Sequence, residues 1–177
     1  RFPFLAAFCI VAVRGTIINA SFFAHAKAAA FGEPAASVLS CLVSDVHCRF
    51  SSAFFGIFGV VIALMKDVPD VLGDRVSNIR TFSVRVGPQR IFHGSRRLLS
   101  GLFFACAAGF LKLATSAAAP PLRACRLVTA VGCLAAGLSV RHKAGAVDPE
   151  NPDQVYSYYM HLWKLFYLSY LALPLAR

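Results

Sequence analysis

Long apolar stretches alternate with short polar ones along this chain. Residues 2–24, 50–65, 98–119, 122–140 and 158–175 are runs dominated by Phe, Leu, Val, Ile and Ala. A helix crosses a bilayer with about 20 apolar residues. The run at 50–65 is short by that measure, so it must start earlier or continue past Met65. Polar punctuation separates the runs. Gly32-Glu33-Pro34 marks a turn, Pro120-Pro121 a sharp break, and Asp148-Pro149 with Asn151-Pro152 a further turn. Residues 26–49 read as irregular: a helix starts within 35–43, and the polar stretch 44–49 interrupts it. The pattern predicts an all-α, multi-span transmembrane helix bundle of about five helices, held in one membrane-embedded domain over residues 1–177.

Within the runs, small residues mark places where helices approach closely: Gly56 and Gly59 in the second, Gly132 and Gly137 in the fourth. Arg14 and Asn19 stand inside the first run. Polar side chains at membrane depth are costly and face a cavity or a neighbouring helix, so these two either line a substrate cavity or make interhelical hydrogen bonds. His25 and His47 have no metal-ligand companions at suitable spacing and read as interfacial. In the last run, Tyr158, Tyr159, Trp163, Tyr167 and Tyr170 have the character of interfacial aromatic anchors, and Lys164 of a snorkelling cation.

Composition agrees with the pattern. The 177 residues are 58% hydrophobic, with a mean hydropathy of +0.64, too apolar for an ordinary soluble domain. In a soluble chain a net charge of +10 would point to nucleic acid. Here the basic residues lie mainly between apolar runs, as membrane topology requires, and there is no arginine-rich tail or nucleic-acid motif. The six cysteines form no CxxC pair and mostly fall in apolar runs, which predicts buried free thiols.

The candidate chemistry lies at the exit of the second run, in Lys66-Asp67-Val68-Pro69-Asp70-Val71-Leu72-Gly73-Asp74-Arg75. On an unbroken helix Asp67, Asp70 and Asp74 are i, i+3 and i+7 and share a face. Pro69 would kink or end such a helix; the acids stay close together either way. Carboxylates bind hard cations such as Mg²⁺, which typically keeps waters and bridges to substrate phosphates. Arg80, Arg85 and Arg90 follow in a basic loop predicted over 76–97, with Arg96 and Arg97 at the head of the next helix. Arginines grip phosphate oxygens bidentately. Acids and arginines beside an apolar cavity suit a diphosphate with a long hydrocarbon tail. The same arginines also serve as a positive-inside signal.

These residues carry a resemblance. KDVPDVLGDR followed by IRTFSVRVG resembles the second aspartate-rich motif of UbiA-type membrane prenyltransferases, in particular their homogentisate phytyltransferase branch. RFPFLAAFCIVAVRGTIINASFFAH at the start and YMHLWKLFYLSYLALP at the end resemble helices of the same branch. The resemblance implies transfer of a phytyl group from its diphosphate to homogentisate, in tocopherol biosynthesis in a plastid (chloroplast) membrane. It implies Mg²⁺ as cofactor on Asp67, Asp70 and Asp74, which are the catalytic residues. Lys66, Arg75, Arg80, Arg85, Arg14 and Asn19 are the implied substrate contacts. The partners are the prenyl diphosphate, homogentisate and the lipid bilayer, with no nucleic acid. Two other readings stay open: a homogentisate solanesyltransferase of plastoquinone synthesis, and a non-catalytic helix bundle.

Alternating five spans puts ten basic residues on the side of the aspartate motif and five on the other. That excess predicts a cytoplasmic or stromal motif. The chain starts at Arg1, and no N-x-x-x-D-x-x-x-D motif, the family's first aspartate motif, occurs in it. It therefore reads as the C-terminal portion of a larger UbiA-type bundle, incomplete at the N-terminus and inactive by itself.

Overall fold

The computed structural model describes residues 5, 8–9, 11–32 and 37–176. Every element is helical, and no strand occurs among the described residues. A π-helical segment, Val11–Ile17, runs into α1 (Ile18–Phe31), followed by α2 (Val38–Ser44) and α3 (Val46–Lys66). Two short helices come next, α4 (Val71–Val76) and α5 (Phe82–Val86). Three long ones follow, α6 (Pro88–Thr115), α7 (Pro120–Gly145) and α8 (Pro152–Ala172), and a short 3-10 helical turn, Leu173–Leu175, comes after them. Among the described residues α3, α6 and α7 are long and apolar enough to cross a membrane. The architecture is thus an all-α membrane helix bundle. Helix α8, at the fifth expected span, has 21 residues but carries Asp153, Gln154, His161 and Lys164. The chain divides into two compact units, residues 2–63 and 64–177.

In the first unit, stretch 26–49 is more regular than its polarity implies. α1 continues to Phe31 and stops at Gly32, which takes the left-handed conformation (φ 65°). Ser37 caps α2 by accepting from the Ser40 amide at 3.0 Å. Asp45 then separates α2 from α3 and caps the latter, its Oδ1 accepting from the amides of His47 (2.9 Å) and Cys48 (3.3 Å). The polar interruption is therefore a cap between two helices, and α3 starts four residues ahead of its apolar run. Ala20, Ala24, Cys41 and Cys48 form a small buried cluster. A Cβ on Gly15 would meet the Cα of Gly56 at 2.5 Å, so backbone touches backbone there and only glycine fits.

In the second unit, α6 and α7 form an antiparallel hairpin. α6 buries Phe92, Ser95, Leu99, Phe103, Cys106 and Phe110, a stripe at three- and four-residue spacing. Gly137 of α7 receives the ring of Phe104; Gly132, expected to do likewise, has open space around it. Arg126 at the start of α7 donates to the Leu113 carbonyl at 2.7 Å, satisfying one of the orphan acceptors at the end of α6. α8 docks by polar links as well as apolar ones. Tyr158 is 2% exposed, its ring 5.1 Å from that of Phe92 and its hydroxyl donating to the Val140 carbonyl at 3.4 Å. It is a core residue, against the expectation of an interfacial anchor. Ser139 Oγ and His161 Nε2 lie 2.9 Å apart.

The segment 76–97, expected as a basic loop, is mostly helix. Arginines do not stop a helix, and Pro88 at its first turn has the fixed φ that a helix start needs. Arg90, Arg96 and Arg97 therefore stand on α6.

Candidate active site

The candidate site is built from the end of α3 to the start of α6. Lys66 is the last residue of α3. Asp67 to Asp70 form a turn, because Pro69 cannot donate into a continuing ladder. Asp70 occupies the N-cap position of α4, and Asp74 lies in its first turn. The acids thus do not line one helix. Asp67 sits on the turn, while Asp70 and Asp74, four apart, share a face. Negative groups there also face the positive end of the helix dipole.

Asp67 feels the two other carboxylates. Burial pushes the Asp67 carboxyl above its usual range; Lys66 opposes that, and Asp74 and Asp70 add to the push. Asp67 and Asp74 are half-buried and Asp70 is exposed. Among the described residues none of the three carboxylates is in an ion pair with a basic side chain. Such a cluster gains from any cation that enters it.

Local caps shape the segment that carries the arginines. α4 ends in a Schellman motif: the Ile79 amide donates to the Asp74 carbonyl at 2.7 Å and the Asn78 amide to that of Arg75 at 3.2 Å. The motif needs a left-handed residue, and Asn78 supplies it at φ 53°. Thr81 then caps α5, its Oγ1 accepting from the Val84 amide at 3.3 Å. Arg75, Arg80 and Arg85 along this segment are exposed.

Beside this segment lies a cleft of about 740 Å³. α4 contributes Val71, Leu72 and Arg75 to it, the head of α6 Gln89 and Arg90, and the turn before α8 Glu150. Gln89 Nε2 donates to Glu150 Oε1 at 2.8 Å, tying that turn to the head of α6. The sequence reading missed Gln89 and Glu150. They are 61 residues apart, and the only local signal was the proline-rich turn around Glu150.

The remaining predicted contacts lie in the other unit. Asn19 is buried and its Nδ2 donates to the Gly15 carbonyl at 2.9 Å, where the π-helical ladder gives way to α1. That bond lies within its own helix. Arg14 falls in the π-helical segment, and its side chain lies outside the described residues.

Could the acids hold Mg²⁺? Among the described residues no three His, Cys, Asp or Glu side chains converge as a closed ligand cage. The donor set is all oxygen, and the charges of Asp74 and Asp70 reach Asp67. That fits a metal held by one or two carboxylates with waters and substrate phosphates, as Mg²⁺ prefers, and not an all-protein site.

The family model of the UbiA prenyltransferase family matches residues 1–165. The chain is 37% identical over 174 residues to homogentisate phytyltransferase 1, chloroplastic, of Arabidopsis thaliana, covering 98% of this chain and 41% of that protein. It is 36% identical to the homogentisate phytyltransferase of Synechocystis sp., covering 99% of this chain and 52% of that protein. To the homogentisate solanesyltransferase, chloroplastic, of Arabidopsis thaliana it is 31% identical, covering 98% and 42%. The chain thus spans about half the length of these curated relatives or less. No solved structure matches it.

Proposed function

The chain belongs to the UbiA prenyltransferase family, and from that premise we propose that it supplies the second acidic cluster of a homogentisate phytyltransferase. The observation that carries this reading is the closeness of Asp67 to Asp74 and Asp70 at the exit of α3, followed along the chain by the exposed Arg80 and Arg85. The donor is a prenyl diphosphate, phytyl in the first instance, and the acceptor is homogentisate. The carbon–oxygen bond of the donor breaks, the diphosphate leaves with the electron pair, the aromatic ring attacks the carbon it leaves, and the attacked ring carbon gives up its proton to restore aromaticity.

In this chemistry the chain binds and neutralises the leaving group. One or two of Asp67, Asp70 and Asp74 would hold Mg²⁺ together with waters and substrate phosphates, and the ion would supply positive charge to the departing diphosphate. Lys66, Arg80 and Arg85 add fixed cations to phosphate oxygens, while Arg75 lines the cleft on the other side of α4. The apolar helices receive the hydrocarbon tail and keep water from the electron-deficient carbon. The product belongs to tocopherol biosynthesis in a plastid membrane, with the motif on the stromal side.

A second reading, transfer of a solanesyl group, is favoured less by the lower identity to the solanesyltransferase. Competing phytyl, geranylgeranyl and solanesyl diphosphates over the membrane-embedded protein with homogentisate decides between them. The expected product is phytylated. Product from the solanesyl donor alone would replace the first reading with the second, and absence of any transfer by the full-length protein would refute both.

A further inference from the structure

We propose that the cleft between α4, the head of α6 and the turn before α8 is a holding site for the carboxylate of the aromatic acceptor, with Arg75 and Arg90 as its anion-binding side chains. The acceptor's identity as an aromatic acid rests on the function proposed above; the sign and shape of the cleft do not.

On α4, Asp70 and Asp74 share one face, while Val71 and Arg75 share the face one residue further round. The second face lines the cleft and the first does not. One six-residue helix therefore presents a negative side and a positive, partly apolar side. An acceptor that carries a carboxylate finds no cationic side chain on the aspartate face of α4. It needs a place close to the aspartates where its own charge is matched. Arg75 and Arg90 supply two cations there, and both are exposed enough to meet a ligand. The one acid in the lining, Glu150, accepts a hydrogen bond from Gln89. Neither arginine is in an ion pair among the described residues. Val71, Leu72 and the neighbouring prolines give an apolar wall for a ring. About 740 Å³ accommodates a single-ring acid with its water.

The test uses the membrane-embedded full-length protein and measures binding of radiolabelled homogentisate and of its uncharged methyl ester. Arg90→Gln should weaken the acid by about tenfold or more, the loss expected when a charge-assisted hydrogen bond is removed. It should leave the ester unchanged, and Arg90→Lys should recover part of the loss. Glu150→Gln still offers Gln89 an acceptor but removes the cleft's negative charge, so it should tighten the acid. Prenyl diphosphate binding reports that each variant is folded. Acid affinity unchanged in both Arg90→Gln and Glu150→Gln would overturn the assignment. So would retention of phosphatidylglycerol through Arg90 with no acid binding, which would give the cleft to a lipid headgroup. If the protein transfers no prenyl group yet binds the acid through Arg90, the proposed function falls and the cleft stands. Transfer with an acceptor KM indifferent to Arg90→Gln does the reverse.

Discussion

The segment 66–90 and the helical hairpin with α8 that follows it treat polar groups in opposite ways. In the bundle several polar side chains find partners within the fold, Tyr158 on the Val140 carbonyl, His161 on Ser139 and Arg126 on the Leu113 carbonyl, while the buried Ser95 hydroxyl of α6 has none. In the segment, three carboxylates crowd together, and Arg75, Arg80 and Arg85 stand exposed. Buried polar groups are expensive without partners, so a fold under no other demand resolves them as the bundle does. The segment instead spends its internal hydrogen bonds on the backbone, through the Asn78 and Thr81 caps, and holds its charges out for something else. The bundle meets most of its polar groups internally, and the segment leaves its charged ones unpaired among the described residues.

That contrast is broken most directly by removing an acid. Asp70→Ala and Asp74→Ala in the full-length protein should lower prenyl transfer by about two orders of magnitude or more, the scale of losing a main electrostatic stabiliser. Insertion in the membrane and detergent-extracted stability should stay close to wild type. Wild-type turnover in either variant would end the assignment of this cluster to the diphosphate.

The complementary change is in the bundle. Leu99 is 0% exposed on the buried stripe of α6, so Leu99→Ala should cost about 2–5 kcal/mol of stability, from lost burial plus the cavity left behind. Thermal unfolding in detergent measures it. Tyr158→Phe should cost less, about 1 kcal/mol, since the ring contact to Phe92 remains and only the bond to Val140 is lost. If Tyr158→Phe were the more damaging of the two, the hydroxyl would be holding α8 in a way that packing does not.

The sequence made the two regions unequally legible. Runs of apolar residues announce long helices, because burial in lipid or protein sets their length, and α3, α6 and α7 were visible in this way. The motif was visible because Asp67, Asp70 and Asp74 follow an apolar run at close spacing with a series of arginines behind them. What lay hidden was decided either by one residue's backbone or by distant contacts. Asn78 in the left-handed conformation and the Thr81 hydroxyl divide the expected loop into α4 and α5. Asp45 looked like an interruption of a helix and is a cap between two. Tyr158 looked interfacial, and only the arrival of Phe92 and Val140 from far along the chain makes it core. The cleft is of the same kind, since its walls come together only when the turn before α8 meets the head of α6.

The smallest effect is the most discriminating. Burial, reinforced by Asp74 and Asp70, raises the Asp67 carboxyl above its ordinary 3.8. A carboxyl whose folded value is raised holds its proton more tightly in the folded state than in the unfolded one. Its contribution to stability is complete below the unfolded value and is lost as pH rises through the raised folded value. At neutral pH the ionised Asp67 is therefore a burden on the fold. Asp67→Asn lifts that burden, so the variant should unfold at the same temperature as wild type or slightly higher at pH 7, and its advantage should vanish below about pH 4. Mg²⁺ with an unreactive prenyl diphosphate analogue should reverse the order at pH 7, because the ligand stabilises the charged cluster more than the neutralised one. Transfer should fall in the same variant. A variant less stable than wild type at pH 7 without ligand would mean that Asp67 is paired like the polar groups of the bundle, and the difference between the two regions would disappear at the residue where it is sharpest.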